Sequence, residues 1–337
     1  MTTTRNDDTA NVSELAPSDI EDFASDFDAV VSNIERVVQG KRPVVHLVTA
    51  GLVAEGHVLI EDVPGVGKTL LAKALARSIQ CEFNRIQFTP DLLPSDVTGV
   101  SLWDRKSGQF HFNPGAIFAN VVVGDEINRA SPKTQSALLE AMEERQVTTD
   151  GTTRELPLPF MVLATQNPLE HEGTYPLPEA QLDRFMMRLS IGYPERETEL
   201  GILETHGVRS SFLDLKPVIT ADRIREMIES ARRVHVSSKV KAYIVDLVEA
   251  TRAHPALLLG ASPRSSLYLL RLARVWAGSR GRDYVTPDDV KHLSPAVLTH
   301  RLALRPDAYM RGSTADAILK TEIDRVPVPG ASGRVAT

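Results

Sequence analysis

The sequence predicts an α/β domain built on a parallel sheet, followed by an all-helical domain. Three observations carry this. Short apolar runs at 57–60, 83–88, 121–123 and 160–164 lack the length of helices and read as buried strands. Helical periodicity fills stretches between them. Beyond Pro194 the short runs cease and helical patterns follow one another.

Taken in order, an amphipathic helix is predicted over Ser18–Gln39, with Phe23, Phe27, Val30, Val31, Ile34, Val37 and Val38 at helical spacing and Gly40 ending it. Pro43 can open a second helix, to about Ala54. The run His57–Ile60 is a strand, and after the loop Glu61–Gly67 a helix runs over Lys68–Gln80. Phe83–Phe88 is the next strand. Val100–Asp104 and Gln109–Phe112 flank Arg105-Lys106-Ser107-Gly108 and predict a β-hairpin. Val121–Val123 is a buried strand that ends in Gly124-Asp125-Glu126. Ser131 is the N-cap of a helix over Pro132–Glu144. Val147–Thr149 and Thr153–Leu156 around Asp150-Gly151 predict a second hairpin, and Phe160–Ala164 a further strand. The second half carries helices near Glu195–His206, Ala221–Ala231, Lys239–Arg252, Ser265–Gly278 and Pro287–Val297, two of them announced by Thr220 and Thr286.

The chain has 337 residues, 42% hydrophobic and 24% charged, which suits two domains better than one. One cysteine, Cys81, excludes an internal disulfide and any multi-cysteine metal site, and is read as a small core residue at a helix end. The nine histidines lack metal-ligand spacing. No segment has membrane-spanning length and the N-terminus lacks a basic-then-apolar signal, so a cytoplasmic location is expected. Residues 1–28 carry eight acids and one base, a net of -7 out of -6 for the whole, so the remainder sums to +1. The acidity belongs to this N-terminal stretch, of which the tail 1–17 is expected to be solvated and disordered. Nothing resembles a basic nucleic-acid footprint.

Chemistry concentrates in a few stretches. Pro64-Gly65-Val66-Gly67-Lys68-Thr69 lies between a strand and a helix, the context of a phosphate loop. Glycines let backbone N–H groups point inward around phosphates, and the following helix offers its positive end. Lys68 would reach the terminal phosphates and the Thr69 hydroxyl would hold Mg2+. The strict pattern has glycine at position 62, where this chain has Asp62. Asp125 at a strand end can hold the metal and Glu126 can act as base toward water, although an acid at a strand end is common in any protein. Asn167 follows the next strand, where a neutral amide could orient the water or simply make a turn before Pro168. Arg184 and Arg264 are candidates for stabilising charge on a transferring phosphoryl group; each could equally be a surface ion-pair residue. There is no Asn-Lys-x-Asp stretch to select guanine.

The order of these motifs resembles the MoxR family of AAA+ ATPases. The matching stretches are Gly56–Thr69, Gln87–Asp96, Asp125–Ala130 running into Lys133–Arg145, Ala164–Pro168, Leu177–Phe185, Gly260–Arg264 and Gly281–Val285. The resemblance spans about Ile20 to Pro329, and that family often lacks the first glycine of the loop. It implies an AAA+ P-loop core over 18–193 with two hairpin inserts, and a helical lid over 194–337. It implies ATP and Mg2+ as ligands, with Lys68 and Thr69 as Walker A residues, Asp125 and Glu126 as Walker B, and Asn167 as sensor 1. Arg184 would be an arginine finger acting on a neighbouring subunit, and Arg264 a sensor-2 arginine reaching down from the lid, so that ATP bridges core and lid. It further implies a homo-oligomer, a hexameric ring, that acts as a chaperone on a separate partner, often a von Willebrand factor A domain protein. A nucleic-acid motor or a magnesium-chelatase-like motor is the alternative; the near-neutral core speaks against the nucleic-acid reading.

Overall fold

The computed structural model describes residues 15–168, 173–206 and 212–329. The expectation for the acidic tail falls mostly on residues 1–14, outside the described residues. Pro17, counted with that tail, already opens α1 (Pro17–Glu35) as its first residue. Helix α1 ends at Glu35, short of the predicted Gln39. Val37 and Val38 are buried all the same, held in a turn by their N–H groups on the Ile34 carbonyl. Their burial reproduced helical spacing without helical backbone.

The elements that follow are α2 (Arg42–Val53), β1 (Val58–Glu61), α3 (Lys68–Ser78), β2 (Phe83–Gln87), α4 (Pro94–Thr98), β3 (Gly99–Asp104), β4 (Gln109–Pro114) and β5 (Val121–Asp125). Next come α5 (Pro132–Glu144), β6 (Gln146–Thr149), β7 (Thr152–Glu155), β8 (Met161–Gln166), α6 (Glu179–Leu182), β9 (Met187–Leu189) and α7 (Arg196–His206). The C-terminal part holds α8 (Ala221–Arg233), α9 (Ser238–Ala253), β10 (Leu257–Leu259), α10 (Pro263–Gly278), α11 (Pro287–Leu298), β11 (Ala303–Leu304), α12 (Pro306–Met310) and α13 (Ala315–Arg325). Strands β10 and β11 form a small antiparallel pair inside the region predicted as wholly helical. Runs of three and two residues carry no period to read.

Five strands form one parallel sheet in the order β2-β5-β8-β1-β9. Both faces are buried, and the side chains alternate between them as the strand period requires. Val58, Ile60, Val121, Val123, Met161 and Leu163 join one apolar cluster, whereas Leu59, Val122, Val162 and Ala164 join the other. The first cluster continues through α1 and α2 into α8–α11. Phe23 of α1 lies so close to Gly278 of α10 that a Cβ there would meet its ring at 3.0 Å. The second cluster is covered by α5 through Leu138, Leu139 and Met142.

Both predicted hairpins form: β3 pairs antiparallel with β4, and β6 with β7. The first leaves an apolar tip in solvent, with Trp103 and Phe110 in edge contact at 5.0 Å, 54% and 69% exposed. No helix among the described residues is long and apolar enough to cross a membrane.

Candidate nucleotide site and its arginines

In a parallel sheet, ligands sit at the carboxyl ends of the strands. Strand β1 ends at Glu61 and leads into the glycine loop; β5 ends at Asp125 and β8 at Gln166. The sheet therefore brings Lys68, Thr69, Asp125, Glu126 and the Asn167 position to one edge. Gly65 and Gly67 have φ of 86° and 91°, the left-handed region where glycine is unstrained, and a Cβ on either would face open space. Gly67 also caps α3, which has no side-chain cap and no acid in its first turn. Its leading N–H groups thus remain available to an anion.

The Lys68 ammonium donates to the carbonyls of Asp62 (2.8 Å) and Val63 (3.2 Å). Burial holds its pKa below the usual lysine value, against the pull of Asp62, Asp125 and Glu126. The Thr69 hydroxyl lies 3.3 Å from Asp125 Oδ2, so a hydroxyl and a carboxylate face each other across the loop and the end of β5. Thr165, on the neighbouring strand, ties both acids down. Its hydroxyl donates to Asp125 Oδ1 at 3.2 Å and accepts the Glu126 N–H at 3.0 Å. That bond holds Glu126 in a left-handed conformation, φ 59°. The Glu126 carboxylate accepts from Gln87 Nε2 at 2.9 Å and pairs with Arg129 at 3.2 Å. Arg85 on β2 donates to Asp125 Oδ2 at 2.6 Å.

Arg85, Gln87 and Thr165 were not singled out by the sequence. They act across strands β2, β5 and β8, a neighbourhood that only the strand order reveals. Asp62 was singled out only as a departure from a pattern, and the structure gives it a task. Its Oδ2 accepts from the Ser190 hydroxyl (3.0 Å) and from the N–H groups of Ile191 (2.7 Å) and Gly192 (2.6 Å); Oδ1 accepts from Val63 N–H (2.9 Å). The phosphate loop is thereby tied to the segment that leaves β9. Burial pushes the Asp62 carboxyl up, yet these hydrogen bonds outweigh it and leave the pKa below the ordinary value. A depressed carboxyl contributes stability that is full above the unfolded value, about 3.9, and is lost as pH falls through the folded one. Asp62→Ala is expected to lower stability by about 1.5–3 kcal/mol, the worth of hydrogen bonds to a charged group. Denaturant unfolding at neutral pH checks the loss, and the gap from wild type should narrow on acidification.

The two arginines lie elsewhere. Arg184 precedes β9, whose start is held by the Met186 N–H on the His57 carbonyl, at the opening of β1. This is the end of the sheet opposite the phosphate loop. Arg184 pairs with Glu143 Oε2 at 3.2 Å, and Arg264, at the start of α10, pairs with the other oxygen of the same carboxylate. His57 secures the adjoining end of α5. Its Nδ1 accepts from Val162 N–H, so Nε2 carries the proton and donates to the Met142 carbonyl at 3.0 Å; burial pushes its pKa down to about 4. The resemblance implied that Arg264 reaches over its own subunit's nucleotide. In the structure it stands beside Arg184 instead, because the packing of α10 against α1, α2 and α8 sets the lid at the amino-terminal end of β1. Glu143 had drawn no notice, since one glutamate in a helix end rich in them carries no signal.

Comparisons with known proteins agree with this architecture. A family model described as the ATPase family associated with various cellular activities (AAA) matches residues 57–187, and an AAA lid domain model matches 249–322. The chain is 52% identical over 299 residues to an uncharacterized protein, YeaC, of Bacillus subtilis, covering 89% of this chain and 93% of that one. It is 40% identical over 328 residues to Chaperone MoxR1 of Mycobacterium tuberculosis, covering 94% and 86%. A crystal structure of a candidate ATPase from Cytophaga hutchinsonii matches with a TM-score of 0.87 at 37% identity, over 92% of this chain and 97% of that one. With both domains matched in this order and such identity along most of its length, the chain belongs to the MoxR family of AAA+ ATPases.

Proposed function

We propose that this protein hydrolyses ATP in a closed ring of like subunits, hexameric by the family pattern, and uses the cycle to remodel a partner protein. The observation that carries the reading is the separation of two half-sites. The loop, Thr69, Asp125 and Glu126 occupy one end of the sheet, and the paired Arg184 and Arg264 occupy the other. Neither arginine serves the loop of its own chain in this arrangement. In a head-to-tail ring, one subunit's arginine end meets the next subunit's loop end.

The residues fit a magnesium-bound triphosphate. The positive-φ glycines and the open N-terminus of α3 supply N–H donors, and Lys68 supplies a cation. Thr69 and Asp125, 3.3 Å apart, would hold magnesium, which when bound would neutralise charge on the phosphates. Glu126 is the base for the attacking water and Asn167 its orienting amide. Arg184 and Arg264, from the neighbour, stabilise charge on the transferring group. The partner is taken to be a protein, with a von Willebrand factor A domain protein as first candidate. The relative from Mycobacterium tuberculosis bears the name chaperone, and the exposed aromatic tip of the β3–β4 hairpin offers a protein contact.

Phosphate release measured against protein concentration tests the proposal. Specific activity should rise with concentration as rings close, and Lys68→Ala should weaken ATP binding by about tenfold to a hundredfold and remove turnover. A specific activity independent of concentration, from a species sedimenting as a monomer, would sink the shared-site reading.

A further inference from the structure

The segment that bears Arg184 is held by the lid. Residues 183–186 present four consecutive carbonyls, and each accepts a hydrogen bond from a lid side chain. Arg301 Nη2 donates to the Asp183 carbonyl at 3.0 Å and to the Phe185 carbonyl at 2.5 Å, and its Nη1 reaches the Met186 carbonyl at 3.4 Å. The Tyr268 hydroxyl donates to the Arg184 carbonyl at 3.1 Å. The side chain of Asp183 is engaged as well: it accepts from Arg301 Nε at 2.8 Å and from the Ser262 hydroxyl at 2.9 Å. Ser262 stands two residues before Arg264. The Arg301 side chain is 2% exposed, and its guanidinium lies over the Tyr268 ring at 5.3 Å from the centroid.

A planar guanidinium offers five donors in a fixed fork, so it can order several acceptors at once; a lysine ammonium in its place cannot match that geometry. Arg301 pairs with the Asp183 and Met186 carbonyls and shares the Phe185 carbonyl with His300 Nε2, 3.2 Å from it, in a seam where buried polar groups need partners. The effect is to join the Arg184 segment, the start of α10 with Arg264, and the turn after α11 into one body.

We propose that Arg301 is a positioning residue for Arg184: it fastens residues 183–186 to the lid, so that Arg184 and Arg264 are presented to the neighbouring subunit as a unit. Any rotation of the lid then moves both guanidiniums together. The inference rests on the reading that Arg184 serves a neighbour's ATP.

The test uses full-length rings and subunit mixing. Arg301→Lys is expected to lower kcat by on the order of tenfold to a hundredfold, the usual cost of misplacing a catalytic group by about an ångström, with KM for ATP changed less than about twofold because its own loop is untouched. Mixing Arg301→Lys subunits with Lys68→Ala subunits should restore activity, since intact arginines then meet intact loops. In a background with both Arg184→Ala and Arg264→Ala, Arg301→Lys should cost nothing further. A full additional loss in that background, or a failure to complement, would overturn the proposal and leave Arg301 a purely structural residue. The control pair, Arg184→Ala mixed with Lys68→Ala, tests the neighbour reading separately: if that pair fails to complement, it is the shared site that falls. Should Arg301→Lys not fold, Tyr268→Phe decides, because it removes one hydroxyl bonded to the Arg184 carbonyl and keeps the ring. A kcat loss rescued by mixing supports the clasp, and an unchanged kcat refutes it.

Discussion

Glu126→Gln is expected to leave ATP affinity unchanged and to lower kcat by about 10²–10⁴-fold, the range in which general-base catalysis contributes. The amide keeps the shape of the carboxylate and still accepts a hydrogen bond. The Glu126 backbone is fixed from outside, by its N–H on the Thr165 hydroxyl, so the substitution has little reason to disturb the end of β5. What the amide cannot do is take a proton from water. Gln87 and Arg129 both hold Oε2 of the carboxylate in this structure, so Oε1 is the oxygen that can face water while those contacts stay in place. Nucleotide titration together with phosphate release checks both halves of the claim. Turnover within twofold of wild type would mean that Glu126 is not the base.

Much of this site was legible in the chain, because phosphate binding is local chemistry. Pro64 to Thr69 needs only a strand before it and a helix after it, and both show in short windows: an apolar run at 57–60, then helical periodicity from Lys68. The alternation of Val121, Val122 and Val123 between two cores follows from the strand period alone. Strand β9 was not legible, since Met187-Arg188-Leu189 is too short to show a period and becomes a strand through its pairing with β1. Helix α13 was readable in principle, with Thr314 as its cap and an apolar face of Ile318 and Leu319. The contacts that hold the chemistry in place were hidden for another reason. Asp62 reaches Ser190, Arg301 reaches Asp183 and Arg264 reaches Glu143, each across more than a hundred residues of chain. The Asp62 contact is set by the pairing of β9 beside β1, and the other two by how the lid helices settle on α1 and α2; no window of sequence contains either.

Arg184→Ala is expected to reduce turnover by about 10³–10⁵-fold, the effect of removing an arginine finger from a phosphoryl-transfer site, while the mutant's own loop binds ATP normally. The loss should owe nothing to unfolding. The pair that Arg184 makes with Glu143 is part-exposed on both sides, 30% and 35%, and such a pair contributes roughly 0–1 kcal/mol. Geometry argues that the missing group acts on another chain. From His57, beside Arg184, to Glu61, where the loop begins, β1 rises four residues, or about 13 Å at strand spacing. Glu143 holds Arg184 and Arg264 on the far side of that distance, so reaching the loop of the same chain would require the finger segment to leave its partners in the lid. Mixing inactive Arg184→Ala subunits with inactive Lys68→Ala subunits should therefore produce activity that neither has alone, because some interfaces in the mixed ring join an intact loop to an intact arginine. Phosphate release across a series of mixing ratios gives the measurement. A rate that stays at zero at every ratio, in rings shown to contain both subunits, would place Arg184 at its own chain's nucleotide and would require the lid to turn through the length of the sheet during the cycle.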